Sequence, residues 1–430
     1  MFLARKKNDI LFWGLAGLIL YMPFHFYICE LLLPGSSLDN IVRDVVIIAL
    51  AVLAIFFREK IDWPSSPLSL SVSLAFVLVT GIYAAFVHQL APILNILRTY
   101  TVPMLIFYVA KSVDFSRQRF MLLNRFLTVE LAIVGLYGFL QAFILGDDFL
   151  IWLGYPTNDG QTLYSTSYYI SHFFGYQRSV GTFVSPNICG AIMAVAGCAL
   201  FFTDDDQKPA WRYVWGAMLI VGMAATFSRS AMLGFGCSVV ICWLFRKSWK
   251  KLSKKTLRCW LWIAAVAGIF LLVDFLLWDS LFLRMLLSTF FRTFNGEDPS
   301  ANAHKDHLFK PFFEEGANLL LPYFGLNGPM AEEFLPDPFM VESSFYLMIR
   351  ELGIPGAVLY FAPVVMMLYK TVKNYKRYPY LVPAAVNVTL LVSYIFLPNV
   401  QTFEIPFYGF LFIGLYKNSS VKKLYAREDA

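Results

Sequence analysis

The segment from Val341 to Gly356 reads VESSFYLMIRELGIPG: a carboxylate at the mouth of an apolar helix, two serines and an aromatic behind it, then a Leu-Gly-Ile-Pro-Gly break. A carboxylate at the edge of a membrane helix is costly unless it is paired or used. Glu342 is therefore the first candidate for chemistry, as a general base toward a bound hydroxyl, with a helix-start role favoured by the macrodipole as the plainer alternative. Ser343 and Ser344 either orient that hydroxyl or cap the helix start.

Cationic candidates lie elsewhere in the chain. YQRSVGTFVSPNICGAIMA puts Arg178 just before an apolar helix, and TFSRSAMLGF puts Arg229 in a tight turn between two others. A guanidinium there either snorkels to lipid phosphates or holds a ligand diphosphate through paired, charge-assisted hydrogen bonds. The turn around Arg229, flanked by Ser228 and Ser230, is too short to be a mere linker, which favours the ligand role for Arg229 and likewise for Arg178. Arg98, in ILRTYTVPML, either pairs across helices or reaches a substrate cavity. Arg43 is expected to be neutralised by Asp44, and the adjacent Arg350 and Glu351 read as structural. Lys305 and His307, in the run HKDH, offer positive charge or donors to a substrate phosphate. Two histidines at that spacing without a third ligand do not make a metal site, and none is expected. Tyr168, Tyr169 and Tyr176 lie in an aromatic and polar stretch that suits either a sugar platform or an interfacial belt.

These residues need a scaffold, and the composition names its class. The 430 residues are 58% hydrophobic, 17% aromatic and 15% charged, with mean hydropathy +0.60, too little polar material to coat a soluble globule. About twelve apolar runs near or above the length of a membrane crossing recur along the chain. Helices are the expected spanning form, because backbone groups at membrane depth must be satisfied internally and the runs lack the alternation of barrel strands. The expectation is an all-α polytopic bundle, 1–430 as one transmembrane domain, with two long outward loops at 145–187 and 279–340. Lysine and arginine clusters at every second loop place both termini in the cytoplasm and explain the net charge of +6 without nucleic acid. The first apolar run is too long for a signal peptide and reads as a retained helix. All six cysteines lie in or at the ends of apolar helices, so no structural disulfide is expected.

The order RSVGTFVSPN, an SRSA turn two helices later, Tyr-Phe-Gly-Leu-Asn-Gly at 323–328, and ESSFYLMIRELGIPG resembles the O-antigen polymerase and ligase superfamily of bacterial polysaccharide assembly. The matching stretch covers roughly 175–370. The resemblance implies a GT-C-like bundle in the inner membrane and a metal-independent glycosyltransferase without cofactor. Its substrates would be an undecaprenyl-diphosphate-linked oligosaccharide and an acceptor glycan, its surroundings membrane lipids and a chain-length regulator. In the ligase branch the position of Glu342 is typically a histidine, so the glutamate favours the polymerase branch over attachment of O-antigen to lipid A core. In that frame Arg178, Arg229 and Arg98 would stabilise leaving diphosphate, aided by Lys305 and His307. Glu342 would act as base to an acceptor hydroxyl oriented by Ser343, and a single displacement would invert the anomeric centre. A lipid-linked oligosaccharide flippase is the alternative from another class; against it stand the absence of a repeat and the gathering of the arginines at the outer interface.

Overall fold

The computed structural model describes residues 2–28, 38–56, 68–87, 90–153, 155, 172–173, 176–203, 211–245, 268, 272, 274–276, 280–295, 343–374 and 380–426. These are almost wholly helical. The one β ladder among them is a pair of two-residue strands, His172 opposite Gln177 and Phe173 opposite Tyr176. Three helical stretches are long and apolar enough to cross a membrane, Arg5–Tyr27, Arg117–Trp152 and Glu351–Asn374, with shorter apolar helices at Pro186–Phe202, Arg229–Cys242 and Val382–Phe396. The chain divides into two compact units, one of 1–17, 41–120 and 299–430 and the other of 18–40 and 121–298.

In the first unit, α1 (Phe2–Tyr21) begins the bundle, followed by α2 (Leu38–Phe56), α3 (Leu68–Val87) and α4 (Leu90–Ser112). α2 is apolar on its exposed face as well as along Ile47, Leu50, Ala51 and Ala54 of its buried one. Its buried face carries Arg43 and Asp44, whereas Ile41, Val42, Val45, Ile48 and Val52 are exposed. An apolar exterior around a charged interior is what hydrocarbon as solvent selects. The C-terminal part of the unit holds α11 (Ser344–Asn374), α12 (Val382–Phe396), α13 (Glu404–Lys417) and α14 (Ser419–Ala426). The Leu-Gly-Ile-Pro-Gly break is real. Gly353 adopts φ 68° and ψ 171° within α11, a conformation essentially restricted to glycine, and Pro355 follows with no N–H to give.

α13 packs along α4, where a Cβ on Gly414 would sit 2.8 Å from Phe107 O and Ala110 Cβ, the close backbone approach that small residues permit between membrane helices. At the end of this contact Asn418 Nδ2 donates to three carbonyls, Ala110 O at 2.9 Å, Lys111 O at 3.0 Å and Val113 O at 2.7 Å. One side chain thus satisfies acceptors that the end of α4 leaves open. Asn418→Ala is expected to cost about 1–3 kcal/mol, the usual penalty for buried groups left without partners. Denaturant titration of the purified variant measures it; a loss below about 0.5 kcal/mol would show that water replaces the amide.

The same end of the unit collects the basic segments. Asn8 exchanges hydrogen bonds with the Asp114 backbone, Arg119 pairs with Asp9, and Phe115 N donates to Ser420 Oγ. Residues from three cluster-bearing stretches therefore lie together at one end of this unit.

The second unit is built on α5 (Arg117–Leu140), a π turn at Gln141–Leu145, α6 (Gly146–Trp152), α7 (Pro186–Phe202), α8 (Trp211–Ala225), α9 (Arg229–Phe245) and α10 (Leu281–Phe294). Helical backbone runs beyond Leu145 as far as Trp152, so the first part of the 145–187 stretch is ordered helix. α7 is buried nearly all round and rich in Gly and Ala, the composition of a central membrane helix. Ser185 caps it by accepting from Ile188 N at 3.3 Å, with Pro186 at the first helical position. α5 and α8 approach closely at a pair of glycines, a Cβ on Gly222 falling 2.4 Å from Gly135 Cα.

Candidate functional site

In the second unit the two arginine motifs meet. The RSVG segment is held by Gln141 Oε1, which accepts from Val180 N at 3.3 Å and Gly181 N at 3.0 Å. Gly181 turns the chain at φ 58°, open to glycine at little cost. Ser179 N then donates to Ala225 O at 3.0 Å, and Arg178 donates through Nε to Thr226 O at 2.8 Å and through a terminal nitrogen to Asn187 Oδ1 at 3.2 Å. Arg178 is thereby fixed on the turn that leads into Arg229, and Asn187 of the same motif completes its seat.

That turn is tightly built. Phe227 takes φ 48°, unusual for a residue with a side chain, and is retained by packing against Phe139, Ala225 and Met285. Thr226 Oγ1 donates to Met223 O at 2.6 Å and accepts from Ser228 N at 3.2 Å; Ser228 and Ser230 share a hydrogen bond of 3.2 Å. A Cβ on Gly190 of α7 would lie 2.7 Å from Thr226 Oγ1 and 3.0 Å from Ser228 Cβ. Arg229 is the first residue of α9, so the turn proper is Thr226–Ser228 and the guanidinium rides on a helix start. With the positive end of the helix dipole beside a cation, the place suits an anion better than it suits the arginine alone.

The first unit holds a second cluster, under the ESS motif. Ser343 Oγ donates to Tyr394 O at 3.4 Å, and Ser344 Oγ donates to Leu397 O at 2.6 Å while accepting from Val400 N at 3.0 Å. Both serines are buried, so they tie the start of α11 to the residues between α12 and α13. Neither side chain makes a simple N-cap bond. From that junction Gln401 donates to Glu351 Oε1 at 2.8 Å and to Tyr100 OH at 3.4 Å, and Tyr100 OH donates to Glu351 Oε2. Glu351, read from its neighbours as structural, is a fully buried carboxylate in a polar network.

Two residues further on, Phe403 lies under the Arg43 guanidinium at 3.6 Å from its ring centroid. Arg43 bonds Asp44 Oδ1 at 2.9 Å, as the sequence suggested, and Arg98 Nε reaches the other oxygen of Asp44 at 3.3 Å. Arg98 therefore pairs across helices, and a third of its side chain still faces outward. Glu404 completes the group, buried at the first turn of α13 with both carboxylate oxygens lacking a hydrogen bond. From Arg98 to Lys111 along α4, and from Glu404 to Lys417 along α13, the rise of a helix makes about 20 Å. The charged network and the basic surface are thus at opposite ends of the unit.

Glu342, Lys305, His307, Tyr168 and Tyr169 lie outside the described residues, and of Tyr176 only the backbone, paired with Phe173, is described. Glu351, Tyr100, Gln401 and Glu404 were not singled out as candidates. Glu404 carried the same signal as Glu342, a carboxylate at the start of an apolar run; Tyr100 and Gln401 carry no charge, and nothing local marks them. No protein-family model and no curated protein matches the chain.

Proposed function

We propose that the protein is a polymerase of lipid-linked polysaccharide repeat units, of the O-antigen, capsule or exopolysaccharide type. It would transfer a glycan from undecaprenyl diphosphate to an acceptor sugar hydroxyl at the outer face of a bacterial inner membrane, within a bundle of about twelve spans. The observation that carries this reading is the joining of RSVGTFVSPN and TFSRSA at one turn, Arg178 Nε to Thr226 O at 2.8 Å. Segments 48 residues apart are joined at the turn that leads into Arg229, and cations carried there would stabilise a leaving diphosphate without divalent metal. The basic surface of the first unit supports an assignment of that end to the cytoplasm. The end holding Ser343 and Arg98 then faces outward, level with an acceptor.

The test is glycan length. In cells carrying Arg229→Ala, surface polysaccharide is expected to shrink to single repeats still joined to their acceptor. A ligase would instead leave long glycan on undecaprenyl diphosphate, and unaltered chain lengths would sink both. The buried Glu351 and Glu404 favour one rival, a proton-coupled transporter, since titratable groups at membrane depth suit such a device. That reading predicts unpolymerised lipid-linked repeats accumulating on the inner leaflet.

A further inference from the structure

Three lysines from three helices converge at the basic end of the first unit. Lys417 ends α13 and Lys422 lies in α14, and their ammonium groups stand 5.9 and 5.7 Å from the centroid of one ring, that of Tyr416. Tyr416 is hydrogen-bonded to Thr371, next to Lys370 of α11. The charge of Lys370 acts on both Lys417 and Lys422. Among the described residues, the charges felt by Lys417 and Lys422 are those of other lysines.

A lysine near the end of α11 and one at the end of α13 are each accounted for by the helix macrodipole. Their convergence is not, because like charges should splay into solvent when nothing lies between them. The Tyr416 ring face offsets part of the repulsion. α14 adds a second constraint: Val421 and Tyr425 are buried while Lys422 and Lys423 are exposed, the arrangement of a helix lying in a membrane interface.

We propose that Lys370, Lys417 and Lys422 form a binding site for an anionic phosphate group, with Tyr416 as its floor. Three donors arriving from three helices match a tetrahedral phosphate with several free oxygens, and each repulsive pair becomes a charge-assisted hydrogen bond to a shared anion. A phospholipid headgroup and free phosphate offer this chemistry alike, and basic pockets between membrane helices hold headgroups in this manner.

The test uses the full-length protein in phosphatidylcholine nanodiscs titrated with phosphatidylglycerol, bound lipid being counted by native mass spectrometry. The triple variant Lys370→Gln, Lys417→Gln, Lys422→Gln is expected to bind phosphatidylglycerol about tenfold or more weakly, at roughly 1 kcal/mol per lysine near a surface. An equal change of charge at Lys6, Lys7 and Lys423 should alter it less than about threefold. Lys422→Gln alone, on the exposed side of α14, gives the same direction should the triple variant not fold. Competition by inorganic phosphate would assign the site to a soluble anion, and its absence to a lipid. Equal weakening by both triple variants, or no weakening by either, would overturn the proposal.

Discussion

Glu342→Gln is expected to lower turnover by about 10²–10⁴-fold, the usual contribution of a positioned general base, while leaving binding of the lipid diphosphate donor within a few-fold of wild type. Glutamine keeps the shape and the polarity of the side chain and removes only its ability to take a proton. A base acts in the transition state, so kcat and kcat/KM should fall together, whereas a group that merely binds the acceptor would raise KM with kcat intact. The plainer role, a helix-start carboxylate favoured by the macrodipole, is worth about 0.3–1 kcal/mol and would appear as a small loss of stability with activity retained. Turnover of a synthetic undecaprenyl-diphosphate-linked repeat unit, measured beside thermal stability, separates the two. A fall in rate below about threefold would remove Glu342 from the mechanism.

The residues that follow bear on that expectation. Ser343 and Ser344, the next residues along, are locked to Tyr394 O, Leu397 O and Val400 N. The start of α11 is therefore fixed by bonds to the α12–α13 junction, and the glycine break at Gly353 isolates this short N-terminal piece from the rest of the helix. A site built on a held helix start can be positioned more closely than one on a loop.

The parts of this design legible in the sequence were those with local signatures. The break in α11 followed from Leu-Gly-Ile-Pro-Gly, because only glycine tolerates the backbone found at Gly353 and proline cannot continue the bonding. Arg43 with Asp44 was legible because the partners are adjacent. The pairing of Arg98 with that same Asp44 was not, since a whole helix, α3, separates the two positions in sequence and hydropathy says nothing of which faces meet. Glu351 read as structural and stands in a buried hydrogen-bonded network, but its partners had no local mark, since Tyr100 and Gln401 come from α4 and from the turn before α13. The joining of the Arg178 and Arg229 motifs was not legible, because one of its physical causes, Gln141 of the π turn after α5 accepting from Val180 N and Gly181 N, has no local mark.

Asp44→Ala is expected to destabilise the protein by about 3–5 kcal/mol, because one carboxylate serves two guanidiniums and its removal leaves buried positive charge without that counterion. Arg43 is 3% exposed and Asp44 6% exposed, so water cannot take the lost place. Glu404 does not substitute, as its carboxylate makes no hydrogen bond to Arg43 where it stands. The stacking of Arg43 on Phe403 holds the cation in position and makes escape to solvent harder. Removing the pair together should be far milder: Arg43→Met with Asp44→Leu fills similar volume with apolar groups, and such replacements of buried ion pairs are often neutral or stabilising. The double variant separates stability from function. It restores the packing of α2 yet leaves Arg98 without the oxygen that orients it at 3.3 Å, so activity should stay depressed if Arg98 serves the diphosphate and should recover if Arg98 only balances Asp44. Denaturant titration and donor turnover on the same three proteins give both answers. A single variant within about 1 kcal/mol of wild type would mean that the network draws its stability from Tyr100, Glu351 and Gln401 and that the arginines are neutralised from outside it.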